Sequence, residues 1–182
     1  MTKNCVHVMN YHKHLCSGRS QAASFIEEFL SLPSGSLSYG ETAAGKPYIL
    51  NQPEISISLS HSEGLLALFC GREEAGIDIE FMKPRTSYRE IAEIIFSHND
   101  LAQYLESKDQ PRTFYTLWTR YEAEAKKAGQ GINALLSKTW IPSERYTHWI
   151  VSNEYILCLC ASERVLSTIE ISCEPDIHLM PL

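Results

Sequence analysis

Asp78 and Glu80, in the stretch "GIDIE" from Gly76 to Glu80, stand two residues apart in an otherwise apolar run. Side chains alternate along an extended strand, so the two carboxylates share one face while Ile77 and Ile79 share the other. Like charges so placed repel unless the face is wet or a cation lies between them. Further on, in "WTRYEAEAKKAG", Glu122 and Lys126 are four apart and so neighbours on one helical stripe, with Trp118 a turn back. Asp78, Glu80 and Glu122 together form a hard-oxygen ligand set suited to Mg2+. With Lys126 as a phosphate partner, that combination serves phosphoryl transfer. The plain alternatives are solvated acidic faces and a surface ion pair.

Other polar residues offer less by themselves. His61, in "SLSHSEG", is a lone histidine at a strand end, and with Ser60 and Ser62 it forms either a structural cap or a polar rim for phosphate. "GKP", Gly45 to Pro47, reads as a turn. "HKH", His12 to His14, has no Cys or acidic partner at ligand spacing and reads as an exposed loop.

The elements that must position these residues follow from periodicity. "RSQAASFIEEFLSL" carries Ala22, Phe25, Ile26 and Phe29 at helical spacing, and "PYIL" ends a Gly-rich loop as a short strand. "EISISLSHS" alternates Ile and Leu against Ser, "GLLALFCG" is a continuous apolar run, and "EAGIDIEF" follows, which suggests an antiparallel meander. "SYREIAEIIFSHNDLAQYL" predicts one helix and a second starting near "SHND", and "RTFYTLWTRYEAEAKKAG" predicts a third that ends at Gly129. "THWIV" and "YILCLCA" read as a hairpin around "SNE", and "VLSTIEIS" as a further strand. Helix followed by strands occurs twice. We therefore expect an α+β chain of two similar halves, residues 1–84 and 85–182, each with a small antiparallel sheet packed by helices.

At 182 residues, 44% hydrophobic and 21% charged, the chain is long enough for a real core. A formal net charge of -6 disfavours nucleic acid and anionic membrane as partners, so a phosphate site has to be local. The six cysteines include no C-x-x-C pair, and several lie in apolar runs, which points to a reducing, cytoplasmic setting. No run approaches the roughly 18 apolar residues of a membrane helix.

Four motifs in this order, "GKPY", "SLSHSEG", "GIDIE" and "WTRYEAEAKKAG", resemble those of the 4'-phosphopantetheinyl transferase superfamily, specifically its long, surfactin-synthetase-activating class with two fused halves. The resemblance implies a pseudo-twofold fold with the active site between the halves. It also implies transfer of the phosphopantetheine arm of coenzyme A to a serine of an apo acyl or peptidyl carrier protein, with release of adenosine 3',5'-bisphosphate. Asp78, Glu80 and Glu122 would bind Mg2+ or Mn2+, with Glu122 also a base for the carrier serine. Lys126 would meet the pyrophosphate or the leaving-group charge, Ser60 and His61 the coenzyme A phosphate, and Lys46 with Pro47 the adenine border. Arg19 or Ser20 would add a nucleotide contact. A monomer would suffice, and Lys83, Arg85 and Arg89 would offer a basic docking patch to an acidic carrier.

Two departures stand out. Tyr121 replaces the family's lysine before the helix glutamate, which would alter phosphate affinity or helix packing. The chain also reaches "YHKH" almost at once, so the family's first strand and its basic residues are expected to be missing and the 3'-phosphate contacts weakened. These departures leave a rival reading, a degenerate relative that binds coenzyme A or a carrier without catalysis. A Mg2+-dependent nucleic-acid phosphodiesterase is disfavoured by the charge.

Overall fold

A computed structural model of the chain describes residues 4–85, 87–136 and 145–182. Two runs that are apolar without alternation explain its layering. In β5 (Leu65–Gly71), Leu65, Ala67 and Phe69 face one buried cluster while Leu66, Leu68 and Cys70 face another. In β8 (Tyr155–Cys160), Leu157 and Leu159 join that first cluster while Ile156, Cys158 and Cys160 turn outward against helices. Both strands are therefore sandwiched on both faces, which continuous hydrophobicity requires.

β5 lies in a four-stranded sheet with β4 (Ser56–Ser62), β1 (Cys5–Asn10) and β9 (Glu170–Cys173), in the order β4-β5-β1-β9. β8 lies in a second sheet with β6 (Gly76–Phe81), β7 (Tyr146–Val151) and β10 (Leu179–Pro181), in the order β10-β7-β8-β6. The inner faces of the two sheets share one core, to which Val6, Val8 and Phe69 come from the first sheet and Ile77, Ile79 and Trp149 from the second. Outside the first sheet packs α1 (Gly18–Phe29), through Ala22 and Ile26. Outside the second packs α4 (Gln110–Lys127), backed in turn by α2 (Tyr88–Ile95) and α3 (His98–Glu106). A small hairpin of β2 (Tyr39–Glu41) and β3 (Pro47–Ile49) carries the "GKP" turn. The result is a mixed α+β fold of several small sheets packed by helices. Among the described residues no helix is long and apolar enough to cross a membrane.

Four expectations need correction. β6 does not continue a meander from β4 and β5: β5 already pairs with β4 along one edge and β1 along the other, so β6 pairs with β8 instead, Asp78 opposite Cys158. The first sheet is not wholly antiparallel, because β9 runs parallel to β1. The run "VLSTIEIS" is not one strand. Ser162 caps a helical turn, α5 (Glu163–Leu166), by accepting from the Val165 amide at 3.3 Å, and β9 begins only at Glu170. A strand does precede "YHKH": β1, an interior strand of the first sheet.

Candidate functional site

β6 is the edge strand of its sheet, and its two faces have opposite characters. Ile77 and Ile79 are fully buried in the shared core, which fixes Gly76, Asp78 and Glu80 on the side facing α4. Helix α4 is built to stop there. Asp109 caps its start by accepting from the Arg112 amide at 3.2 Å, Pro111 lies in its first turn, and Gly129, at φ 64°, follows its end. Its last turns run directly over Gly76: a Cβ placed there would stand 1.8 Å from the Ala123 carbonyl oxygen and 2.5 Å from the Lys127 amide nitrogen. Only glycine permits this approach. The contact sets Glu122 and Lys126, one on either side of Ala123 and Ala125 in sequence, above Asp78 two residues along the strand.

The polar geometry follows. Asp78, 2% exposed, accepts through Oδ1 from Lys126 Nζ at 2.7 Å and from Ser60 Oγ at 2.7 Å, and Lys126 Nζ also donates to Ser60 Oγ at 2.8 Å. Its Oδ2 is buried with no hydrogen-bond partner among the described residues. Glu80 accepts from Ser62 Oγ at 3.2 Å. Burial, reinforced by the negative charge of Asp78, raises the Glu80 pKa above the ordinary carboxylate range. Glu122 is pushed up to about 7, first by burial and then by Asp78 and Glu80, with Lys126 opposing. The site thus gathers three carboxylates, with Lys126 acting on Asp78 and Glu122 and the Arg85 guanidinium on Glu80, and the acids outnumber these cations.

A cleft of about 230 Å³ opens beside this cluster, lined by Gly45, Lys46, Pro47, Leu59, Glu122 and Lys126 among others. That is smaller than typical small-molecule sites of about 300–1,000 Å³, so it would enclose part of a nucleotide-sized molecule. Lys46 ties the hairpin turn to α4: its ammonium pairs with Glu74 and donates to the Lys127 carbonyl at 3.2 Å. Gly45, at φ 83°, makes the tight turn that presents Lys46, closed by the Gly45 amide donating to the Thr42 carbonyl at 2.9 Å.

The remaining residues singled out in the sequence are placed differently. Arg19 pairs with Glu41 at the turn end of the same hairpin, and exposed Ser20 lies in the first turn of α1; neither lines the cleft. His61 is exposed, its ring tilted against Tyr11 at 4.8 Å. Burial, then Lys13 and Lys126, lower its pKa, so it is neutral at physiological pH. His12 and His14 are exposed, as expected. Of the basic patch, Lys83 pairs with Glu63 at 2.9 Å and Arg89 with Glu93 at 2.7 Å, while Arg85 donates to the Tyr115 hydroxyl at 3.0 Å. The patch is therefore largely internally compensated.

Tyr121 points away from the cleft. Fully buried on the back of α4, it donates to Asp100 Oδ2 at 2.7 Å and accepts from the Ser97 amide at 2.7 Å, which anchors the start of α3. The departure at this position therefore concerns helix packing. Sequence reasoning gave Gly76 no role, although a glycine inside a strand two residues before an acid signals close backbone approach. It also passed over Ser58 and read Ser62 only as part of a polar rim beside His61; the hydroxyls of the two accept from the Ile77 and Phe81 amides respectively, each at 3.1 Å.

Among the described residues, no three His, Cys, Asp or Glu groups stand at the spacing that holds a metal ion. The donor chemistry nevertheless suits a hard divalent cation, since Asp78 Oδ2 is buried with no partner among the described residues and Glu80 and Glu122 are pushed toward protonation by burial and then by the charge of Asp78.

Residues 74–160 match the family model described as the 4'-phosphopantetheinyl transferase superfamily. The chain is 35% identical over 103 residues to a 4'-phosphopantetheinyl transferase of Bacillus subtilis, covering 56% of this chain and 45% of that protein. It is 35% identical over 100 residues to the 4'-phosphopantetheinyl transferase AcpT of Escherichia coli (strain K12), covering 53% and 50%. To the 4'-phosphopantetheinyl transferase HetI of Nostoc sp. it is 25% identical over 131 residues, covering 69% and 55%. The chain spans about half the length of the curated relatives it matches.

Proposed function

We propose that this chain, whose residues 74–160 match the family model of the 4'-phosphopantetheinyl transferase superfamily, is a member of that family and transfers the 4'-phosphopantetheine group of coenzyme A to a serine of an apo acyl or peptidyl carrier protein. The observation that carries the reading is the close docking of α4 on Gly76, which brings Lys126 to 2.7 Å from Asp78 and puts Glu122 under the influence of both strand acids.

In this reading the carrier serine oxygen forms a bond to the phosphorus that bears the pantetheine arm. The bond to the adenosine-side phosphate oxygen breaks, and adenosine 3',5'-bisphosphate leaves. Glu122, beside Asp78 and Lys126, takes the serine proton. Lys126 meets the charge that develops on the leaving phosphate. Asp78, Glu80 and Glu122 would hold Mg2+, or Mn2+ in its place, which when bound neutralises pyrophosphate charge. Lys46 and Pro47 border the adenine, His61 meets a coenzyme A phosphate as a neutral donor, and Arg19 or Ser20 adds a more distant nucleotide contact.

We further read the chain as the two-half, surfactin-synthetase-activating type, active as a monomer, with halves 1–84 and 85–182. The two four-stranded sheets that share one core favour this division. Each half then lends a strand to the other's sheet, β6 in one direction and β9 in the other, and on this division the proposed site would lie at their junction.

The test mixes the protein with Mg2+, a coenzyme A carrying a fluorophore on its thiol, and several apo carrier proteins. Label should appear on a carrier serine and fall by about a hundredfold or more in Asp78→Ala and in Glu122→Gln. Tight coenzyme A binding with no transfer to any carrier would overturn the reading in favour of a binding module.

A further inference from the structure

We infer that Ser60 is a positioning residue that aims the Asp78 carboxylate and holds Lys126 against it. The resemblance puts this serine at a coenzyme A phosphate; the geometry points to a different task. β4 and β6 belong to different sheets, yet they are stitched together by alternate serines of β4. Ser58 Oγ accepts from the Ile77 amide at 3.1 Å, and Ser62 Oγ accepts from the Phe81 amide at 3.1 Å, so the outer rungs grip the backbone of β6 at both ends of its acidic stretch. The middle rung differs. Ser60, only 8% exposed, donates to Asp78 Oδ1 at 2.7 Å and accepts from Lys126 Nζ at 2.8 Å, while Lys126 and Asp78 are themselves 2.7 Å apart.

Hydroxyl, carboxylate and ammonium thus close a triangle of short hydrogen bonds in which each member polarises the next. Its effect on Asp78 is directional: Oδ1 is engaged by two donors, while Oδ2 is left without a partner among the described residues. A carboxylate held this way keeps one oxygen for an incoming cation, the task of groups that stand behind metal ligands. A serine occupied on both sides at this depth is poorly placed to meet a phosphate arriving through the cleft.

The inference rests on the reading of Asp78 and Lys126 as site residues, and its test separates the two. Mn2+ affinity is measured by electron paramagnetic resonance without coenzyme A, and kcat and KM for coenzyme A are measured separately. Ser60→Ala should weaken Mn2+ binding by about tenfold and lower kcat, with KM for coenzyme A changed by less than about twofold, and Ser60→Thr should recover most of both. Ser58→Ala, which removes a backbone rung only, should lower the melting temperature while Mn2+ affinity stays within about twofold. Unchanged Mn2+ affinity in folded Ser60→Ala, with a raised KM for coenzyme A, would overturn the inference alone and return Ser60 to the phosphate. Absence of Mn2+ binding by the unaltered chain would overturn both the inference and the metal reading.

Discussion

The two faces of α4 use similar residues to opposite ends. On the back, Asp100 carries a negative charge that is fully answered: Arg120 donates to it at 2.6 Å, and Tyr121 and Ser97 each donate at 2.7 Å, beside an apolar cluster that includes Phe96, Phe114 and Tyr115. Burial alone would raise the Asp100 pKa, but these hydrogen bonds outweigh it and hold the carboxyl below its ordinary range. On the front, Lys126 serves both Asp78 and Glu122 while Arg85 acts on Glu80, and Glu122 still rises to about 7. One face spends its polar groups on stability, and the other leaves charge uncompensated for a ligand to complete.

The largest way to break this contrast is Gly76→Ala, since the added methyl would meet the Ala123 carbonyl and push α4 off β6. Destabilisation of about 3 kcal/mol or more in urea melts is expected, together with loss of the proposed transfer to a carrier in the protein that remains folded. Tyr121→Phe tests the back face. It strips one donor from Asp100 and the acceptor from the Ser97 amide, so about 1–2 kcal/mol of stability should be lost while kcat of the folded protein is kept.

The pH dependence of stability sharpens the comparison, because the two faces carry opposite signs. For Asp100, whose folded pKa is lowered, the contribution is present above the unfolded value of about 3.9 and is lost as pH falls through the folded pKa. For Glu122, whose folded pKa is raised, metal-free protein holds a proton that the unfolded chain has released between about pH 4.3 and 7, so stability falls as pH rises through that window. In EDTA, Glu122→Gln should therefore gain a few degrees of melting temperature relative to the unaltered chain on going from about pH 5 to about pH 8. The smallest effect belongs to Arg89→Ala. Its partner Glu93 is an exposed i,i+4 neighbour, so the change should stay below about 0.5 kcal/mol.

Much of this was legible before any coordinates. The helical stripe of Trp118, Glu122 and Lys126, the period-2 faces of "GIDIE", the β7–β8 hairpin and the helix end at Gly129 all follow from local periodicity and turn chemistry. Illegible were the partners of β6 and the interior position of β1, because edge pairing is decided by which strands have already taken each edge. For Tyr121 the sequence left phosphate affinity and helix packing both open, since its direction depends on where α3 packs, and it belongs to the core.

By itself the sequence determined which acids share a strand face, which glutamate and lysine share a helix stripe, and, through four ordered motifs, which chemistry they resemble. Only the tertiary structure decided that the helix stripe meets the strand face, that Ser60 joins them, and that Lys126 comes to Asp78 and Glu122. The physical reason is range. Side-chain alternation and helical pitch are local properties of the chain, whereas the approach of α4 to β6 depends on a missing Cβ at Gly76 and on a core shared by two sheets.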